Sequence, residues 1–143
     1  KEFQVIHLCG KGKMDESLNG TEGYVQYEYI KQELADMFAL ADVVISRAGA
    51  NAICEINAPK KPNLLIPLSA NASRGDQILN ARSFERQGFS MVLEEEEITE
   101  EKLLDSIRQL YNNRQTYIDA MSGSSHMNSI EKITELIEEC AAR

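Results

Sequence analysis

The chain has 143 residues, 43% hydrophobic and 27% charged, which suits one ordinary folded domain and excludes a disordered or fibrous chain. A net charge of −8 excludes a general nucleic-acid binder, which needs a basic face for phosphates. It leaves room for one nucleotide diphosphate, because a few backbone amides and a single Arg can hold that ligand. Cys9, Cys54 and Cys140 are scattered and lack CxxC spacing, so they read as small buried apolar residues in a reducing cytoplasm, not as a zinc or disulfide framework. No run approaches the roughly 18 apolar residues of a membrane span, and no signal-peptide pattern is visible. The opening at Lys1 without a start Met reads as a fragment or a processed chain.

Short apolar runs alternate with helical patterns. Val5 to Cys9 is β-branched, stops at Gly10 and reads as a strand. Tyr24 to Ile30 alternates apolar and polar residues, with three tyrosines adding strand propensity. Leu34, Met37, Phe38 and Ala41 follow helical spacing, and Asp42 to Ser46 is the next strand. A short helix is predicted over Asn51 to Asn57, bounded by Pro59 and Pro62. Asn63 to Leu68 is nearly continuous in apolar residues, as suits a strand buried on both faces. The polar loop Ser69 to Gly75 leads into a helix from about Asp76 to Gln87 that stops at Gly88. Ser90 to Leu93 is a strand, and the acidic run Glu94 to Glu97 reads as a solvated loop. Thr99 can cap a helix that carries Leu103, Ile107 and Leu110 on one face. A linker at Ser122 to Ser125 precedes a last helix from about Asn128, expected to bury Ile130, Ile133, Ile137 and Cys140. The alternation predicts a single α/β domain with a mostly parallel sheet and no internal repeat. Ligands of such sheets sit at the carboxyl ends of the strands, which directs attention to the loops after Cys9, Ile30, Ser46 and Leu68.

Two stretches there can carry chemistry. In the first, Ser46-Arg47-Ala48-Gly49-Ala50-Asn51 followed by Glu55, a strand ends, a glycine permits a close turn and a helix starts. The free N–H groups of a helix start attract anions, Arg47 can add charge, and Glu55 can accept hydrogen bonds from a ribose diol. The same spacing also describes an ordinary turn in which Arg47 pairs with Glu55. The second stretch is Asn71 to Gln77, with Asn80 one turn later. Asp76 and Gln77 fall in a first helical turn and can bracket vicinal sugar hydroxyls, or can serve only as capping groups beside a solvated loop. Cys9-Gly10-Lys11-Gly12-Lys13 imitates part of a phosphate loop but lacks the full GxxxxGK[ST] pattern, and reads as a turn with surface lysines. His7 reads as a strand residue at the core or its rim, and His126 as solvated. No arrangement of these residues offers a convincing general base or a metal site.

Taken together, ADVVISRAGANAICEINAPKKPNLLIP and NASRGDQILNARSFERQGFSMVLEE resemble the MurG family of bacterial N-acetylglucosaminyltransferases. Members carry an Ala-Asp strand, an R-x-G-A turn, a Glu five residues after that Ala, and a polar loop leading into Q-x-x-N-A. The resemblance covers roughly residues 3 to 139. It implies a Rossmann-like, mostly parallel sheet with helices on both faces, forming one half of a two-domain GT-B type glycosyltransferase. By the same resemblance, residues 1–143 are the C-terminal UDP-sugar-binding domain. The first strand with its Gly-rich turn, and the N-terminal acceptor domain, would precede Lys1.

The implied substrate-binding residues are Ile30 for uracil, through its backbone, and Arg47. Ala50 and Asn51 would offer backbone amides to the diphosphate and sugar, Glu55 would hold the ribose hydroxyls, and Gly49, Ala52, Ile53 and Cys54 are counted among the substrate-binding residues of the same turn and helix start. Gln77, with Asp76 before it, would contact the N-acetylglucosamine hydroxyls, and Asn80 is counted among the substrate-binding residues. Many relatives have Gln-Gln where this chain has Asp76-Gln77. The implied donor is UDP-N-acetylglucosamine and the implied acceptor a lipid-linked muramoyl-pentapeptide, with inversion at the sugar. No cofactor, no metal and no nucleic acid is implied, and no catalytic residue lies in this stretch. The intact protein would sit in the cytoplasm at the inner face of the membrane, held there through the missing domain. A related transferase with another lipid acceptor, or a non-catalytic nucleotide-sugar-binding subunit, remains compatible with these motifs.

Overall fold

The computed structural model describes residues 2–72, 74–124, 134, 137, 138 and 140. The chain divides into two compact units, residues 1–40 and 41–143.

In the first unit, β1 (Val5–Leu8) runs parallel to β2 (Tyr24–Tyr27), with Val5 opposite Tyr24 and Leu8 opposite Tyr27. Helix α1 follows over Leu34–Leu40. The connection between the strands is tied to the sheet by Gln26. This buried amide accepts from the Asp15 N–H at 3.0 Å and donates to the Asp15 carbonyl at 2.6 Å. Strand β2 ends three residues earlier than its alternation suggests, so Ile30 lies in irregular chain beyond it. The Gly10–Lys13 stretch is a turn closed by Lys13 N–H to the Gly10 carbonyl at 3.2 Å. Its Gly12 N–H donates to the Glu28 carboxylate at 2.7 Å, so it offers no phosphate loop. His7 is exposed, with Nδ1 2.7 Å from the Tyr24 hydroxyl.

The second unit is a three-stranded parallel sheet in the order β3 (Val44–Ser46), β4 (Asn63–Leu65), β5 (Ser90–Val92). Helices α2 (Ala50–Asn57) and α3 (Asp76–Arg86) connect these strands; α4 (Glu100–Asn112) and α5 (Arg114–Ser122) follow them. Consecutive strand residues face opposite ways, and β4 shows the consequence. Leu65 packs with Ala48, Ile53 and Ala81, the α2–α3 side. Leu64 packs with Leu93 and Leu110, together with Leu103, Ile107 and Tyr117, the α4–α5 side. The first half of the apolar run, Asn63–Leu65, is therefore a strand covered by helices on both faces as expected from its composition, while Ile66 to Leu68 lies in irregular chain beyond it. Asn63 begins the strand inside the protein, its Nδ2 donating to Asn57 Oδ1 at 3.1 Å and to the Lys61 carbonyl at 2.9 Å.

Several local expectations change. The stretch that reads as one helix from Thr99 to the linker is two helices. Asn113 folds its Nδ2 back onto the Gln109 carbonyl at 2.8 Å and divides α4 from α5. Thr99 caps α4 as expected, accepting from the Lys102 N–H at 3.1 Å. Cys54 is exposed, because α2 buries Ile53, Ile56 and Asn57 and Cys54 lies off that face. Cys140 and Ile137 are also exposed, and neither joins a core cluster among the described residues. Ser73, Ser125, His126, Ile130 and Ile133 lie outside the described residues.

Candidate functional site

The carboxyl ends of β3 and β4 are neighbours in the sheet, so the turns that leave them stand side by side. Each turn opens a helix whose N-cap residue is a glycine, Gly49 or Gly75, which has no side chain to cap the first N–H groups. Gly49 is the N-cap of α2 and closes its first turn by accepting from the Ile53 N–H at 3.0 Å. The N–H groups of Ala50, Asn51 and Ala52 take no partner among the described residues. Gly75 does the same for α3, accepting from Leu79 N–H at 3.1 Å. Its φ of 84° is in the left-handed region that glycine adopts without strain. Two helix starts, each with the partial positive charge of a helix N-terminus, thus share one sheet edge.

The candidate side chains divide into those that face outward and those committed to the protein. Glu55 is exposed, five residues into α2, and has no hydrogen bond or ion pair among the described residues. Asp76 is exposed at the first position of α3, likewise without a partner. Asn51 and Cys54 are exposed, Ala52 is half-buried, and the Ile53 side chain is core at 1% exposure. Gln77 Oε1 accepts from the Leu68 N–H at 3.1 Å, which leaves its Nε2 as a donor. Asn80 Nδ2 donates to the Ala48 carbonyl at 3.2 Å, fastening α3 to the turn before α2. Ile30 belongs to the first unit; it is half-buried, and its backbone groups make no hydrogen bond among the described residues.

The pairing of Arg47 with Glu55 allowed by the spacing does not occur. Arg47 Nη2 donates to Glu95 Oε1 at 2.6 Å, and Nη1 to the Ile66 carbonyl at 3.3 Å. The second carboxylate oxygen of Glu95 accepts from the Ser69 N–H at 3.2 Å. Arg47, and then the Ser69 amide, hold the Glu95 carboxyl below the usual range for a glutamate. Glu94 pairs with Arg82 of α3, which also holds Glu85 at 2.7 Å. The first half of the acidic run is therefore wired to cations, not simply solvated. Sequence reasoning passed over Glu95. The available signal was its place, two residues past the Leu93 end of a strand and on the same sheet edge as the other turns.

Outward carboxylates beside two glycine-led helix starts form a polar edge with donors for an anion and acceptors for hydroxyls. No group of three or more His, Cys, Asp or Glu side chains among the described residues is placed to hold a metal ion. The architecture is α/β, with this polar edge where the parallel strands end. The chain belongs to the glycosyltransferase family 28 C-terminal domain family, whose model matches residues 1–139. It is 63% identical over 139 residues to the UDP-N-acetylglucosamine–N-acetylmuramyl-(pentapeptide) pyrophosphoryl-undecaprenol N-acetylglucosamine transferase of Lachnospira eligens, covering 97% of this chain and 39% of that protein. The enzyme of the same name from Lachnoclostridium phytofermentans is 61% identical over 139 residues, with 97% and 39% covered. The chain thus spans about two fifths of the length of the curated relatives it matches.

Among solved structures, MurG of Acinetobacter baumannii matches with a TM-score of 0.75 at 21% identity, covering 94% of this chain and 41% of that one. A glycotransferase of kitacinnamycin matches with a TM-score of 0.75 at 18% identity, covering 95% and 34%. These two share the fold. No helix among the described residues is long and apolar enough to cross a membrane.

Proposed function

We propose that the chain is the donor-binding domain of an inverting glycosyltransferase. The transferase moves N-acetylglucosamine from UDP-N-acetylglucosamine to a lipid-linked muramoyl-pentapeptide during peptidoglycan synthesis. The observation that carries this reading is the pair of glycine-led helix starts at one sheet edge, with Glu55 on one helix and Asp76 on the other, both exposed and without a side-chain partner among the described residues. The reaction named for the relatives at 63% and 61% identity supports the choice of donor and acceptor.

In this reading the N–H groups of Ala50, Asn51 and Ala52 receive the diphosphate, and Glu55 accepts from the ribose hydroxyls. Gln77 donates through Nε2 to the sugar while Asp76 accepts from it. Ile30 is assigned to uracil on the resemblance alone. The acceptor hydroxyl attacks the anomeric carbon from the face opposite the leaving group. The bond from that carbon to the diphosphate oxygen breaks and UDP departs, its growing negative charge met by dipoles already aimed at it. The proton of the hydroxyl passes to a base outside this chain. The reading also holds that an N-terminal acceptor domain and a first strand with a Gly-rich turn belong to the same protein. That protein works in the cytoplasm at the inner face of the membrane.

The test is transfer of labelled N-acetylglucosamine to a lipid-linked muramoyl-peptide. Holding donor and acceptor together is worth up to about 7–11 kcal/mol, and one domain lacks the acceptor's half of that cleft. The chain alone should give no turnover, and addition of an acceptor domain from a relative should restore it. Turnover by the chain alone, near the rate of a two-domain enzyme, overturns the reading.

A further inference from the structure

Glu95 lies outside every assigned role, yet both oxygens of its carboxylate are engaged at the sheet edge. One of its oxygens holds the Arg47 guanidinium and the other the Ser69 N–H. Arg47 in turn reaches the Ile66 carbonyl. One side chain after β5 therefore ties the turn after β3 to the loop after β4. The loop is pinned at two consecutive amides, because the N–H of Leu68, next to Ser69, is held by Gln77. The two turns joined in this way begin the helices that carry Glu55 and Gln77. Arg47 and Glu95 are 48% and 33% exposed, so the clamp sits at the surface where a ligand can meet it, outside the two core clusters.

Taking the proposed donor site as its basis, we infer that Glu95 is a positioning residue for the nucleotide-sugar. It acts through Arg47 and the Ser69 amide to keep the α2 and α3 helix starts in register with one ligand. A carboxylate that only balanced the charge of Arg47 needs one oxygen; the second bond, to a backbone amide of the neighbouring loop, adds a geometric constraint. The two helix starts engage different parts of the donor, so loosening the clamp costs the whole nucleotide-sugar more than the nucleotide alone. A half-exposed ion pair sets the scale, roughly three- to fivefold in affinity.

The experiment is calorimetry of the chain with UDP-N-acetylglucosamine and with UDP, for wild type, Glu95→Gln, Arg47→Met and the double variant. Melting temperatures and the Ser69 amide signal in nitrogen-15 NMR are recorded on the same samples. Glu95→Gln should shift the Ser69 amide, keep the melting temperature within a few degrees, and weaken UDP-N-acetylglucosamine by about three- to fivefold, UDP by less. In the Arg47→Met background the same change should cost under about twofold, because the partner it acts through is gone. Unchanged affinity in Glu95→Gln despite a shifted Ser69 amide overturns the inference, as does an undiminished loss in the Arg47→Met background. Absence of binding by wild type with the Ser69 shift intact has a different meaning. It defeats the donor-site reading, and the positioning role with it, while the ion pair stands.

Discussion

Replacing Glu55 by Ala separates a ligand contact from a structural one. Glu55 is exposed on α2 and has no partner among the described residues, so its removal breaks no hydrogen bond or ion pair among them. Exposed substitutions of this kind stay within about 0.5 kcal/mol, a shift of about 1–2 °C for a domain of this size. Alanine is also a good helix former, so α2 keeps its propensity. A carboxylate accepting from a ribose diol contributes charge-assisted hydrogen bonds worth about 1.5–3 kcal/mol. Loss of these bonds should weaken UDP roughly ten- to hundredfold. Glu55→Gln keeps an acceptor without the charge and should fall between the two. Calorimetry with UDP and a thermal melt on the same protein decide the matter. Unchanged UDP affinity in Glu55→Ala refutes the ribose assignment. A melting temperature lowered by more than about 5 °C refutes the claim that Glu55 has no structural partner.

Other consequences follow from the packing and the charges. Leu110 is 0% exposed between α4 and β4, so Leu110→Ala should cost about 2–5 kcal/mol and lower the melting temperature by on the order of 10 °C. Asn63→Ala removes the donor to Asn57 and Lys61 inside the protein and should cost about 1–3 kcal/mol by denaturant unfolding; a cost near zero contradicts the buried bonds. The Glu95 carboxyl is held below its ordinary value by Arg47 and the Ser69 amide. Its stabilising contribution is therefore complete above about pH 4.5 and is lost as the pH falls through the lowered value. Stability of Glu95→Gln should decline less steeply than wild type below that pH, and parallel acid limbs contradict the clamp.

Much of this architecture was legible because local chemistry and tertiary role agree. The run from Asn63 to Leu68 is nearly continuous in apolar residues, and β4, which takes its first three positions, is buried on both faces. Thr99 and Gly88 mark helix ends by their own hydrogen-bonding and conformational preferences, and they do so here. The Gly49 and Gly75 turns were readable as helix starts at a strand end. Their shared edge follows from parallel topology, which alternation of strands and helices already implies. The partner of Arg47 was not legible. Sequence spacing favours Glu55, eight residues away, whereas the structure supplies Glu95, 48 residues away, because β4 and β5 bring distant turns together. The break at Asn113 was missed because a side chain bonding back to the Gln109 carbonyl leaves no trace in hydrophobic periodicity. Exposure of Cys54 was missed for a related reason: composition favours burial of cysteine, while the helix face decides it.

The central claim is a uridine diphosphate site at the edge where β3 and β4 end, assembled from helix starts and carboxylates without a metal ion. Its most direct test is calorimetry of the purified chain with UDP and, separately, with ADP, each in the presence of a chelator. The account predicts saturable binding of UDP, with ADP weaker by at least about tenfold. Both ligands carry the same diphosphate and ribose, and only the base differs. Equal affinity for the two nucleotides contradicts a uridine-selective site, and no binding of either at millimolar concentration contradicts the site itself.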